Sequence, residues 1–237
     1  MPGVVESYRI DAVDRGEVLR YLGYSGQELD GSLDARIDDM VARCLAAGRP
    51  RGVTRVFDVA ETGEKGGVPV TRLAGTSLEL VGSSIARHLD GAVAVGVLAV
   101  TAGMGVEAEL RRLSLTDRVG QVIFDAAGSA LVERAADAAE ASLVAQAAAR
   151  GLHCGTRFSP GYGDLPLGTQ PVLLAALDAG RLLGITLSDT LLMSPTKSVT
   201  AVTGFFEHLP ADARPGCATC PSRDFCLLRR SGRTCRG

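Results

Sequence analysis

Apolar residues recur at three- and four-residue spacing in two early stretches, residues 17–22 and 33–47. That is the pattern of amphipathic helices, and Gly23-Tyr24-Ser25-Gly26 between them predicts a turn. From 53 to 60 the pattern shortens to alternation, which predicts a strand; residues 62–67 form a hairpin tip and 68–73 its returning partner. Residues 76–80 extend the same sheet, and 83–89 predict a short helix with serine at its start. The valine-rich apolar run 92–101 is the kind that forms a buried central strand. Residues 107–150 are dominated by helix formers, with a break near Thr116-Asp117, where Ser114-x-x-Asp117 is a candidate cap. Gly128 predicts close packing within that helix. Residues 170–183 predict one helix closed by Gly184, and 185–192 and 197–205 two final strands turning at Ser194-Pro195-Thr196. No βαβ series emerges, so the expected class is α+β, a mixed but mostly antiparallel sheet flanked by helices.

Composition limits the core and the partners. Hydrophobic residues make up 46% of the 237-residue chain but aromatics only 4%, with no tryptophan. The core must therefore be built from alanine, valine and leucine, with glycines easing close approach. The length fits one large domain or a domain with a small appendage. A net charge of −2 supplies no global field for nucleic acid. No apolar run approaches the ~20 residues of a membrane span, and residues 1–7 lack the basic and apolar segments of a secretory signal. Cytoplasmic residence is the expectation. Cysteines there are thiols or metal ligands before they are disulfides. Cys44, at helical spacing among apolar neighbours, and Cys154 are both expected to pack rather than react.

Two short stretches carry candidate chemistry. Gly103, Gly105 and Ala108 satisfy a loose G-x-G-x-x-A dinucleotide pattern after the valine-rich run, with Asp125 downstream if residues 119–124 were a strand. A plain strand-to-helix turn is the competing explanation, and the hairpin-like start of the chain favours it. The second stretch is Arg157-Phe158-Ser159-Pro160-Gly161-Tyr162. Pro160 fixes its own φ while Gly161 tolerates conformations closed to other residues. The turn thus presents an arginine and a tyrosine on either side of exposed backbone. A guanidinium clamps a carboxylate bidentately, and an aromatic group can meet a cation.

In its surroundings this loop resembles the activation (reactivation) domain of cobalamin-dependent methionine synthase. Arg157, Pro160, Gly161 and Tyr162 match the family's Arg-Pro-x-Pro-Gly-Tyr segment; Phe158 departs from its first proline. Glu133, in Ala130-Leu131-Val132-Glu133-Arg134, is similar to a family glutamate on the preceding helix. Met193, Pro195, Ser198 and Val199 resemble a Met-x-Pro-x-x-Ser-Val segment, with Ser194 replacing the family's tryptophan. Residues 75–80, 85–89 and 100–103 are similar to small stand-alone relatives. The resemblance covers roughly residues 15–206, so residues 1–208 are expected to form an activation-domain-like unit and 209–237 a separate tail.

The resemblance implies a site for S-adenosylmethionine. Glu133 would meet the ammonium and Arg157 the carboxylate, while backbone and ring groups of Ser159, Gly161 and Tyr162 would lie near the sulfonium. No side-chain catalyst is implied. The family's N-terminal aspartate contact has no assignable counterpart; Asp11 and Asp14 are available.

The tail is distinctive in its own right. Cys217, Cys220, Cys226 and Cys235 could complete a zinc site or ligate an iron–sulfur cluster, and their spacing decides neither. From Cys217 onward, Arg223, Arg229, Arg230, Arg233 and Arg236 stand against one acid, Asp224. The chemistry of cob(II)alamin, which needs an electron before methylation, tilts the expectation toward iron–sulfur.

The expected function is reactivation of a cobalamin-dependent methionine synthase by reductive methylation. Cobalamin would arrive on a partner, because the sequence lacks an Asp-x-His-x-x-Gly motif. That partner is a cobalamin-binding methionine synthase subunit or another corrinoid protein, with a flavodoxin- or ferredoxin-type electron donor. The alternatives are an activator of a different corrinoid methyltransferase, or a non-catalytic module that senses S-adenosylmethionine. Thr101, standing where a strand-end acid would be needed, argues against a conventional Rossmann-type methyltransferase.

Overall fold

The computed structural model describes residues 3–24 and 26–210. In chain order the elements are β1 (Val4–Ser7), α1 (Arg15–Tyr21), α2 (Gly31–Ala47), β2 (Arg51–Lys65), β3 (Val68–Leu73), β4 (Glu79–Val81), α3 (Ser83–His88) and β5 (Ala92–Thr101). They continue as α4 (Met104–Thr116), α5 (Arg118–Ala149), β6 (His153–Cys154), α6 (Gln170–Leu177), α7 (Ala179–Leu183), β7 (Thr186–Leu187), β8 (Met193–Ser194) and β9 (Ser198–Phe206).

β5 is central because both its faces are apolar. Ala94, Leu98 and Val100 point into one core cluster, and Val95, Val97 and Ala99 into the other, as the two-residue period of a strand requires. β9 repeats the division, sending Ala201 and Phe205 one way and Val202 the other. The sheet runs β4-β3-β2-β5-β9-β6 with β1 added to β2, and every pairing is antiparallel. α1, α2, α4 and α5 cover one face; α3, α6 and α7 cover the other. The α+β architecture expected from the pattern is the one observed.

Helix α5 makes the largest contact with the sheet. Half of its buried residues are alanine, Ala126, Ala127, Ala130, Ala135, Ala136, Ala139 and Ala147, so the helix axis lies close to the strands. Gly128 serves the same purpose: a Cβ there would meet Lys197 at 3.2 Å.

Several local expectations are corrected. The hairpin tip shrinks to Gly66-Gly67, with φ of 61° and 79°, because both positions adopt the left-handed geometry of a tight two-residue turn; β2 runs through to Lys65. Ser114 caps nothing and instead donates to the Arg111 carbonyl, while the Asp117 carboxylate accepts from Gly120 N and caps α5. The helix expected over 170–183 is broken at Asp178, which adopts φ 55° and separates α6 from α7. Residues 185–192 are not one strand. Ser188 instead accepts from the Leu192 N–H through its hydroxyl and closes a small hairpin that pairs β7 with β8. The dinucleotide pattern also dissolves. Residues 119–124 lie inside α5, β5 has no parallel neighbour, and a Cβ on Gly105 would strike the Ala47 carbonyl. Those glycines let α4 begin against the end of α2.

Candidate functional site

Residues 155–158 continue from β6 along the free edge of β9. Gly155 N donates to Gly204 O at 2.8 Å; Phe158 exchanges both backbone hydrogen bonds with Val202, at 2.8 and 2.9 Å. Extended backbone sends neighbouring side chains to opposite faces, so Arg157 turns toward α5 and Phe158 toward α3. Beyond Phe158 the chain folds back through buried Pro160. Tyr162 N donates to Ser159 O at 3.0 Å and Gly161 N to Leu165 O at 2.9 Å. Gly161 and Gly163 hold φ of 87° and 56°, values that favour glycine.

On the α5 side, Arg157 meets three carboxylates at helical spacing. Its Nη2 lies 2.9 Å from Asp137 and 3.5 Å from Glu133, and its Nε lies 3.5 Å from Glu140. The guanidinium is only 20% exposed. Its Nη1 is buried and has no acceptor. Burial pushes the Glu133 carboxyl above its ordinary range, against the pull of Arg157 and with the help of Asp137. Glu133 and Arg157, expected at separate ends of a ligand, are here paired with each other. Asp137 and Glu140 escaped the sequence reading, although their spacing from Glu133 puts all three on one helix face.

Tyr162 sits on the other side. Its ring meets Phe158 edge-on at 5.5 Å, and Phe158 packs on His88 at 5.1 Å. The Tyr162 side chain therefore belongs to the α3 face and does not join the Arg157 group. Half-buried Ser159 contributes its carbonyl to the turn, as described.

The Met193–Val199 segment also docks on α4 and α5. Past the cis Ser194–Pro195 bond, Thr196 donates to buried Glu107 from its N–H at 2.9 Å and its hydroxyl at 2.8 Å. Lys197 Nζ reaches Asp125 at 2.8 Å and Ser129 at 2.9 Å. Asp125, Ser129, Glu133 and Asp137 follow one another at four-residue steps, so α5 carries one polar stripe into which Lys197 and Arg157 insert.

A groove of about 610 Å³ lies between residues 7–12 and α5 and is lined by Asp137, the ion partner of Arg157, and by Asp11. Asp14 is engaged elsewhere, capping α1 through Gly16 N at 2.7 Å. Neither described cysteine offers a reactive thiol. Burial pushes Cys44 up to about 12, and it raises Cys154, whose sulfur lies 3.3 Å from the Thr203 hydroxyl. Among the described residues no cluster could hold a metal ion. Cys217, Cys220, Cys226 and Cys235 lie outside the described residues. No helix among the described residues is long and apolar enough to cross a membrane.

No protein-family model and no curated protein matches this sequence. Among solved structures, the MetH reactivation domain bound to AdoHcy is similar over 99% of this chain and 87% of that one, with a TM-score of 0.61 and 16% sequence identity. Identity that low establishes architecture rather than chemistry. In its antiparallel sheet and the helices that flank it, the chain has the fold of the MetH reactivation domain.

Proposed function

We propose that this protein binds S-adenosylmethionine and reactivates a cobalamin-dependent methionine synthase. The observation that carries the proposal is Nη1 of Arg157, a buried donor without an acceptor on an otherwise engaged guanidinium. A buried N–H left unmatched costs about 1–3 kcal/mol. Once the guanidinium turns to bring Nη1 to the surface, the carboxylate of an amino-acid ligand would supply the missing acceptor, and Glu133 stands beside it for the ammonium. A protein of this fold that is bound to AdoHcy makes that ligand class the natural candidate.

In this proposal the bound sulfonium donates its methyl group to the cobalt of cob(II)alamin as one electron enters, leaving S-adenosylhomocysteine. The chain's own residues orient and shield. Arg157 and Glu133 fix the amino-acid head, the Ser159–Tyr162 turn offers backbone carbonyls to the sulfonium, and no proton needs to be moved. The gain is one of proximity and orientation. The corrinoid is carried by a partner, either a methionine synthase subunit or another corrinoid protein.

Glu133 gives a direct test. Its folded pKa lies above the ordinary value, so its contribution to stability is full below about pH 4.5 and is lost as pH rises through the raised value. At pH 7 the ionised group therefore does not favour the fold, and Glu133→Gln is expected to keep or raise the melting temperature. The same substitution should weaken S-adenosylmethionine binding about tenfold, the scale of one charge-assisted hydrogen bond. Calorimetric titration beside a thermal melt checks both. Unchanged affinity would remove Glu133 from the site.

The electron source belongs to the same proposal. We place a metal centre on the four tail cysteines and favour iron–sulfur, because zinc has no redox chemistry. Anaerobic purification should yield iron and sulfide with a visible band that dithionite bleaches. Zinc, or no metal, would make the tail a structural staple and assign the electron to an external flavodoxin or ferredoxin.

A further inference from the structure

We infer that helix α3 is a bracket that holds residues 156–165 in binding-ready geometry, and that Asp164 and His88 are its two positioning residues. The inference rests on the assignment of the Arg157 loop to S-adenosylmethionine and adds what keeps that loop in place. At the far end of the loop the Asp164 carboxylate accepts from Ser83 N at 2.6 Å and Ser84 N at 2.8 Å. Those are N–H groups of the first turn of α3, which have no partner within the helix, and neither Ser83 nor Ser84 caps it. At the near end His88, in the last turn, lies 2.8 Å from the Thr156 carbonyl through Nε2. A carbonyl can only accept, so Nε2 carries the proton. The same ring packs on Phe158, one residue beyond Arg157.

Two glycines allow this approach, one from each side. Gly82, at φ 144°, faces Asp164 so closely that a Cβ would lie 2.5 Å from its Oδ1 and 3.0 Å from its carbonyl oxygen. Gly163, at φ 56°, faces Ser84, where a Cβ would sit 3.0 Å from the Ser84 Cβ. Neither contact builds a core, since Ser83 and Asp164 are both exposed. The carboxylate is held below its ordinary range chiefly by Ser84 N–H and also by Ser83 N–H. The arrangement ties the two ends of the loop to the two ends of one short helix. The segment between them presents Arg157, Ser159, Gly161 and Tyr162. Without the bracket, ligand binding would itself have to order the loop, and affinity would fall accordingly.

The test uses the full-length protein and reads both loop order and affinity. Hydrogen exchange without ligand follows the amides of Gly161, Tyr162 and Leu165, and calorimetry follows S-adenosylmethionine. In Asp164→Ala those amides should exchange faster while the rest of the sheet does not, and Kd should rise about fivefold, the scale of a lost helix cap. Asp164→Asn retains one acceptor and should fall between that variant and the parent; it also serves if the alanine variant folds poorly. His88→Gln, which keeps an N–H for Thr156, should recover most of what His88→Ala loses. Because Asp164 acts through the loop, adding Asp164→Ala to Arg157→Ala should weaken binding by clearly less than it does in the parent. Unchanged exchange, unchanged Kd in the single variant, or additive losses in the double variant would each overturn the bracket. If the parent fails to bind S-adenosylmethionine, the proposed function falls. The exchange rates then decide on their own whether α3 holds the loop.

Discussion

Arg157→Ala is expected to weaken S-adenosylmethionine binding by about 1.5–3 kcal/mol, the range for a hydrogen bond to a charged group. Kd would rise by roughly one to two orders of magnitude. The substitution also strips Glu133, Asp137 and Glu140 of their shared cation. These carboxylates are partly exposed, so the stability lost at pH 7 should be limited to about 1–2 kcal/mol after allowance for solvent screening. Its pH dependence has a defined sign. Removing the guanidinium raises the folded pKa of Glu133 further above its unfolded value. A group of that kind contributes stability that is full at low pH and lost as pH rises through the folded value. The deficit of the variant should therefore be largest near pH 7 and shrink toward pH 5, as urea titrations at the two values would show. Lysine at the same position keeps the charge but loses the fork, so Arg157→Lys should recover stability better than affinity. A variant that binds as well as the parent would sink the site.

Phe205→Ala should be the most damaging single substitution in the sheet, costing about 3–5 kcal/mol. The ring is fully buried on β9. It passes over Gly96 of β5, where a Cβ would stand 3.0 Å from Phe205 and 2.9 Å from Leu143 of α5. Strand, ring and helix interlock there, and the side of the core that holds Phe205 is rich in alanine, whose short side chains cannot reach into the gap. Since domains are held by only about 5–15 kcal/mol, the variant should melt some 10 °C or more below the parent. Calorimetry would show it. A loss under about 1 kcal/mol would mean that the surroundings collapse into the space.

The fold was legible where a segment's own pattern determined its environment. Residues 92–101 are apolar on both faces and could only be an inner strand; the long run of alanine and other helix formers could only be α5. Segments whose conformation depends on distant partners were not legible. Ser83 has a capping residue's identity, but the carboxylate that serves α3 comes from Asp164, eighty-one residues away. Asp178 breaks a helix that its neighbours favour. The candidate site divides the same way. Arg157 and Glu133 came from the resemblance, and the structure brings them into contact. Asp137 and Glu140 were present as a spacing on α5, yet nothing local says that an arginine from beyond the helix will fall between them. The division of Arg157 and Tyr162 between two faces is a property of the extended backbone at 157–158, visible only once Phe158 is seen paired with Val202.

That pairing carries one more consequence. β9 would otherwise present an open row of amide and carbonyl groups along the outer border of the sheet, a template for strand addition from another chain. The segment from Gly155 to Phe158 occupies that border at Gly204 and Val202. The peptide that carries Arg157 therefore also covers the long β9 border and leaves only its own short edge open to strand addition. Insertions that lift it off β9 would reopen that border and cost solubility.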